Sequence, residues 1–482
     1  MAAPDALRQG FVALTRFGYG SRGDGDIAAA GADPRGFVKA ELNQPGVSLL
    51  DGAALKASPL LIQALFDDQE RVKQERKTTK DNAAEPPLVT NSALPDNAKP
   101  RDGVKPASAK PPSLEQQAFR ADAYARLQRA ISARCGISER LVAFWSNHFC
   151  VSARKSQFVR ITAGAFEREA IRPHVLGRFA DMLRAVEQHP TMLHYLDNQQ
   201  SVGPTSKAGL NRKLGLNENL GREILELHTL GVGAGYTQGD VTALARIITG
   251  WTYVGREGRL GEPGRFIFNT NAHEPGAATL LGKIYRDGGR EQGEAALADL
   301  ARHPATAHHI ATNLIQHFVA DIPPPALVQR LAKRFLESGG DLRAVTLGLI
   351  EADEAWAAPL DKMRNPYEFL IAAARLTGRM PENADATLNA LSLLGMPLWQ
   401  PPGPNGWPDT VSAWASAEGM KQRLDVAALI ANRMRDIANP LDVLDRAIGP
   451  AASIETRQAV SRAESRQQGL ALLLMSPEMQ RR

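Results

Sequence analysis

Cysteine is nearly absent: Cys135 and Cys150 are the only two in 482 residues, and their spacing matches no zinc or redox motif. Neither a disulfide framework nor a cysteine metal site is supported. Long apolar runs are missing too, since no stretch approaches the roughly 18 residues that a membrane-spanning helix needs. The opening MAAPDALRQG lacks the basic-then-apolar pattern of a secretory signal, so a cytoplasmic location is the default expectation, with export beside a signal-bearing partner as the alternative. No GxxxxGK[ST] or HExxH run occurs and no repeat period is visible, which leaves a P-loop, a zincin site and a solenoid without motif support. Charge of one sign is scarce as well. Lysine and arginine number 57 against 52 acidic residues, a net +5. Residues 71–112 hold nine basic and five acidic residues, so this segment alone carries +4 and the remainder is close to neutral. The same segment has seven prolines and no aromatic residue, too little apolar surface to offset its ordering entropy. It is expected to be a disordered, solvated linker. Its cations can meet phosphates, but nothing is interleaved for base stacking, so nucleic acid is not the expected partner.

What is present is ordinary globular material, 43% hydrophobic and 23% charged, at a length that allows two to four folding units. Helical periodicity dominates. Helices are expected over 114–134 and 138–149, and from Pro173 through Leu176, Phe179, Met182 and Val186 to the break at His189-Pro190, with Thr191 capping a short continuation. Asn217 is expected to cap a helix through Leu220, Ile224 and Leu227 that stops at Gly231, and Thr237 with Asp240 forms a capping box for the next. Residues 265–268 are the best strand. Beyond 291, helices over 291–302, 305–319, 326–338 and 342–351 follow with short joints. The expected fold class is therefore mainly α: a multi-helix bundle with a small β-hairpin excursion and one long disordered insertion. Its parts would be an N-terminal helical part (1–70), the insertion (71–112), a central helical part with the main polar motifs (113–260), the hairpin (261–290) and a C-terminal bundle (291–482).

The densest polar run is Asn217-Glu218-Asn219-Leu220-Gly221-Arg222-Glu223-Ile224-Leu225-Glu226-Leu227-His228. On an ideal wheel with Glu218 at zero, Glu226 falls at about 80°, Asn219 at about 100° and Glu223 at about 140°, whereas His228 falls at about 280°. The carboxylates can converge on a hard cation or do acid–base work, yet Arg222 is four residues from both Glu218 and Glu226, so the face also reads as a row of helix salt bridges. In Phe144-Trp145-Ser146-Asn147-His148-Phe149, an Asn and a His enclosed by aromatics need defined partners. His148 is a candidate ligand or base, or else a satisfied core histidine. Asp197, at a helix end, can orient such a histidine or cap local amides. His273-Glu274 lies in a loop just past the strand. His309, Asn313 and His317 make a polar stripe, expected to face solvent. The proline-stiffened loop around Gly406 presents Trp407, with Trp399 and Trp414 nearby, to a sugar ring or peptide, or plugs the core with them.

Several of these segments together resemble the bacterial family called domain of unknown function 1800. The matching runs are Leu14-Thr15-Arg16-Phe17-Gly18-Tyr19-Gly20, Phe144-Trp145-x-Asn147-His148-Phe149 and His189-Pro190-x-Met192-Leu193-x-Tyr195-Leu196-Asp197-Asn198. Asn217-Glu218-Asn219, Arg222-Glu223, Glu226-Leu227-His228-Thr229-Leu230-Gly231, Tyr236-Thr237, Asp240-Val241 and Thr249-Gly250-Trp251 form its most recognisable part. His303-Pro304-Ala305-Thr306, Pro401-Pro402, Gly406-Trp407 and Arg423 extend it almost to the C-terminus. Where the family often has His-Asp, this chain has His273-Glu274. The family brings no established activity. Its members often lie beside genes for exported proteins that resemble sulfatases or alkaline phosphatases, which implies such a partner and an envelope or polysaccharide role.

The leading expectation is a metal-dependent hydrolase acting on an anionic or carbohydrate-type substrate. Its catalytic residues would be His148, Glu223, Glu226 and Arg222, its substrate contacts Asn147, Asn219 and Trp407. Asp197, Glu223, Glu226 and His273 would hold Mg²⁺, Mn²⁺ or Zn²⁺. This requires the helix of Phe144 to meet the helix after Asn217. The alternative is a non-enzymatic helical binding or assembly protein acting with a partner.

Overall fold

Helix-forming runs punctuated by proline, serine and asparagine dictate the architecture. In a computed structural model the chain is 62% helical, with 25 α-helices and two small two-stranded sheets among the described residues. These are all residues except 1–3, 24, 83–111, 213–214, 435 and 437. None of the described helices is long and apolar enough to cross a membrane. The expected mainly α class holds, and so do most helix boundaries. The helices Leu114–Ser132, Ile137–His148, Arg290–Ala301, Pro304–Phe318, Pro325–Glu337 and Leu342–Glu351 lie within two residues of their sequence-based limits.

Four local expectations change. The helix Ser58–Asn82 runs into the segment expected to be disordered. Its first turns bury Leu61, Ile62 and Leu65 against Phe158, Ile161 and Ala165, and that docked end lets the charged, helix-favouring stretch up to Asn82 continue. The rest of the expected insertion, 83–111, lies outside the described residues. Pro173 sits in a 3₁₀ turn, Arg172–His174, and the helix proper begins at Phe179. The next helix, Pro190–Tyr195, is capped not by Thr191 but by His189, whose Nδ1 accepts from Thr191 N at 3.1 Å. His303 does the same for Ala305 N, so both His-Pro pairs are helix starts: an imidazole cap followed by a proline that needs no partner for its missing N–H. Finally, there are two hairpins rather than one. Trp251–Tyr253 pairs antiparallel with Phe266–Phe268, with Trp251 opposite Phe268, and Ala278–Leu280 pairs with Lys283–Tyr285.

A continuous apolar cluster extends from Phe11 to Met479 and draws on almost every helix. Charged side chains stitch it. Arg16 donates to the carbonyls of Ala355 and Pro359, at 2.6 and 2.7 Å. Arg375 donates to the carbonyls that end the Leu114–Ser132 helix, including Ala133 O at 2.6 Å, and to Gly20 O at 2.9 Å. The LTRFGYG run thus ties the N-terminal helix to residues 355–375. Arg140 joins the helix Ile137–His148 to the same run, donating to Arg16 O at 3.3 Å and Gly18 O at 3.1 Å.

Candidate functional site

A cleft of about 280 Å³ lies between the helices Ile137–His148 and Pro304–Phe318 and the loop carrying Trp407, with Leu227 at its edge. The helices of Phe144 and Asn217 do meet, as the reading requires. Their meeting point is the end of the polar run, where Ile224–His228 forms a π-helical turn instead of continuing the α-helix. A wider turn frees carbonyls and re-aims side chains, and such turns are frequent at functional sites. Here four of the turn's carbonyls find partners. Thr229 Oγ1 donates to Ile224 O at 2.6 Å and Gly231 N to Leu225 O at 3.2 Å. Leu227 O lies 3.2 Å from His309 Nε2, and His228 O lies 3.2 Å from His148 Nε2.

These two contacts set tautomers. A carbonyl only accepts, so Nε2 carries the proton in both rings and Nδ1 keeps its lone pair. The same His309 Nε2–H faces the Asn313 side-chain amide at 3.1 Å, which must therefore present its oxygen. His148 is enclosed by Phe144, Trp145 and Phe149, with ring centroids 6.2, 5.4 and 4.6 Å away. Burial, then the neighbouring His309 and His228, push its pKa well below the usual histidine value. His309, 5.9 Å away between centroids, is also lowered, mainly by burial. The His309, Asn313 and His317 stripe thus lines the cleft instead of facing solvent. The Ile137–His148 helix and the π turn cover the side that a lone helix would expose.

Asn147 anchors the cleft's loop. Its Nδ2 donates to Trp407 O at 2.9 Å and its Oδ1 accepts from Trp407 N at 2.8 Å, as a neighbouring strand would. Gly406, at φ +74°, lets that approach happen, because a Cβ there would sit 2.6 Å from Asn147 O. Ser152 Oγ donates to Pro401 O at 2.9 Å, and the Cys150 thiol, pushed up to about 12 chiefly by burial, points at Pro404 O at 3.2 Å. Cys150 is therefore an inert packing group. Trp399 plugs the core, with Nε1 donating to Glu167 Oε2 at 3.1 Å, whereas Trp407 stands half-buried in the cleft wall.

The remaining expected site residues are dispersed. Arg222 bridges Glu226 at 3.3 Å and Glu218 at 3.4 Å, so the salt-bridge row exists, and Glu218 also accepts from Thr242 and Gln238. Asn219 is exposed, its Nδ2 donating to Leu196 O at 3.4 Å. Asp197 pairs with Lys155 at 2.6 Å. His273 Nδ1 donates to Thr249 O at 3.0 Å, and Glu274 accepts from Thr205 N and Oγ1, both at 2.9 Å. Only Glu223 makes no hydrogen bond or ion pair to a described residue; burial, reinforced by Glu226 and Glu187, raises its pKa. Through the π turn it comes under the influence of His228, which the ideal wheel placed on another face. His228 itself is buried, with Nδ1 donating to Glu187 at 2.8 Å.

Asp197, Glu223, Glu226 and His273 therefore do not share a coordination shell, and among the described residues no three His, Cys, Asp or Glu side chains form a group able to hold a metal ion. Sequence reasoning missed Glu187 and Asp409. Asp409 pairs with His317 Nδ1, while Arg140 donates to His317 Nε2 at 3.2 Å, and burial foremost lowers His317 to about 4. The only signal was apolar residues on both sides of the histidine stripe. No curated protein and no solved structure matches the chain. A family model described as "Protein of unknown function" matches residues 12–481, and the chain accordingly belongs to the DUF1800 family.

Proposed function

We propose that the cleft is the active site of a hydrolase in which neutral His148 acts as general base. The observation that carries this reading is the His148 Nε2–His228 O contact, which leaves the Nδ1 lone pair unpaired in a ring lining the cleft and held unprotonated at neutral pH. Nδ1 takes a proton from water, the hydroxide oxygen bonds to the electrophilic centre of the substrate, the bond from that centre to the leaving group breaks with its electron pair going to the leaving group, and the imidazolium returns the proton there. Asn147 positions the loop that closes the cleft. A divalent metal is not part of this mechanism, because Asp197, Glu226 and His273 are engaged at separate places and Glu223 is left without a second ligand beside it. Screening chromogenic esters and glycosides supplies the assay. His148→Gln is then expected to lose about 10²–10⁴-fold in rate, the range for general-base removal, with an unchanged melting temperature. Full activity in that variant rejects the assignment.

The second reading, a binding or assembly protein, is favoured by the fully paired Glu218, Arg222 and Glu226 row, which behaves as a structural brace. It predicts that no substrate in the panel turns over while a ligand still protects the cleft.

A further inference from the structure

The charges on the cleft wall identify the chemical class of what it takes. Apart from the histidines, two ionised residues line it among the described residues, Arg126 and Asp409. Arg126 is almost fully buried, pairs with Glu167 at 3.3 Å and lies over the Tyr367 ring at 4.6 Å. Asp409 is surrounded by Arg482 at 3.3 Å, Lys362 at 3.5 Å and His317. The lining histidines are neutral, each lowered first by burial. An anion entering here would lose its hydration and find no unpaired cation, and a cation would find no unpaired carboxylate.

The free hydrogen-bonding capacity is all uncharged. Asn405 makes no hydrogen bond to a described residue, Gln316 uses only its Nε2, toward Asp321 O at 3.3 Å, and His148 keeps Nδ1. Amides that both donate and accept suit hydroxyl groups, which do the same. Beside them stands the half-buried Trp407 ring, braced 6.3 Å from Trp414, an apolar platform with a wet edge. The Asn147 clamp holds only the Trp407 backbone, so the ring is free to serve a ligand. The volume, about 280 Å³, is at the small end for ligand sites and fits the end of a chain better than its length.

We infer that the cleft binds an uncharged saccharide, with a sugar ring against Trp407 and its hydroxyls on the wall amides and His148. This rests on the cleft being the functional site and narrows the substrate class, setting aside sulfated, phosphorylated or uronic-acid glycans. The test is isothermal titration of the full chain with neutral gluco-, galacto-, manno- and N-acetylglucosamine oligosaccharides and with sulfated forms of the same backbones. At least one neutral oligomer is expected to bind saturably, at least tenfold tighter than its sulfated counterpart and with little salt dependence. Trp407→Ala should weaken it tenfold or more while Trp407→Phe stays within threefold, both melting like the parent. Tighter, salt-sensitive binding of sulfated forms, no binding by any neutral oligomer, or indifference to Trp407→Ala would overturn the inference. Binding that persists in His148→Gln with no turnover by the parent would instead reject the hydrolase reading and leave the saccharide site standing.

Discussion

Arg172 has no exposed surface and donates to both oxygens of Glu139, at 2.8 and 3.0 Å, to Glu167 at 3.0 Å and to Ser48 O at 2.8 Å. A charge so placed is stable only while every partner remains, so Arg172→Met strands the buried Glu139 carboxylate, Glu167 keeping Arg126 and Trp399, and should cost about 3–5 kcal/mol, read from urea melts. His317 gives a pH signature. The unfolded chain protonates it near pH 6.5 and the folded chain only near 4, so acid favours unfolding. Its contribution is complete above about pH 6.5 and is lost as the pH falls through that window. Glu368, held at about 2 against its burial by Arg140 and Arg482, adds a further loss at lower pH. Denaturation midpoints measured between pH 7 and 4 should fall in the parent and fall less in His317→Asn. At this scale the sequence was partly legible. The aromatic neighbours of His148 and the four-residue spacing around Arg222 announced a cage and a salt-bridge row. The stripe of His309, Asn313 and His317 announced only itself, because one helix cannot say which of its faces a neighbour will cover.

The π turn at Ile224–His228 is the element on which the site depends. Gly231 ends it at φ +93°, and a Cβ there would sit 2.9 Å from His309 Nδ1. Gly231→Ala should therefore cost about 1–3 kcal/mol from the left-handed backbone alone, and displacing His309 should alter activity by more than the loss of stability explains. The check is rate and melting temperature measured together. Asn147→Ala removes two hydrogen bonds to Trp407, a cost of about 1–3 kcal/mol at 0.5–1.5 each, and should expose the 399–409 loop to proteolysis before the rest of the chain. Helix starts were readable because a cap needs only nearby residues: the Thr237 and Asp240 box formed as expected. The π turn was not, since uniform helical geometry put His228 away from Glu223, and packing against the two histidine helices decided otherwise.

Across the whole molecule, one apolar cluster joins residues from Phe11 to Met479, and Arg16 and Arg375 tie the N-terminal helices to segments over 200 residues away. Calorimetry is expected to show a single unfolding transition with matching calorimetric and van't Hoff enthalpies; two separated transitions would show independent units. The sequence by itself determined the mainly helical class, the limits of six helices between residues 114 and 351 to within two residues, and the family, because periodicity, caps and motif order are local properties of the chain. Only the tertiary structure decided which polar groups share a site. It joined His148 to His309 across 161 positions and sent Asp197, Glu226 and His273 to other partners. The physical reason is that a hydrogen bond or a burial penalty belongs to a pair of surfaces, and those surfaces exist only once the helices have packed.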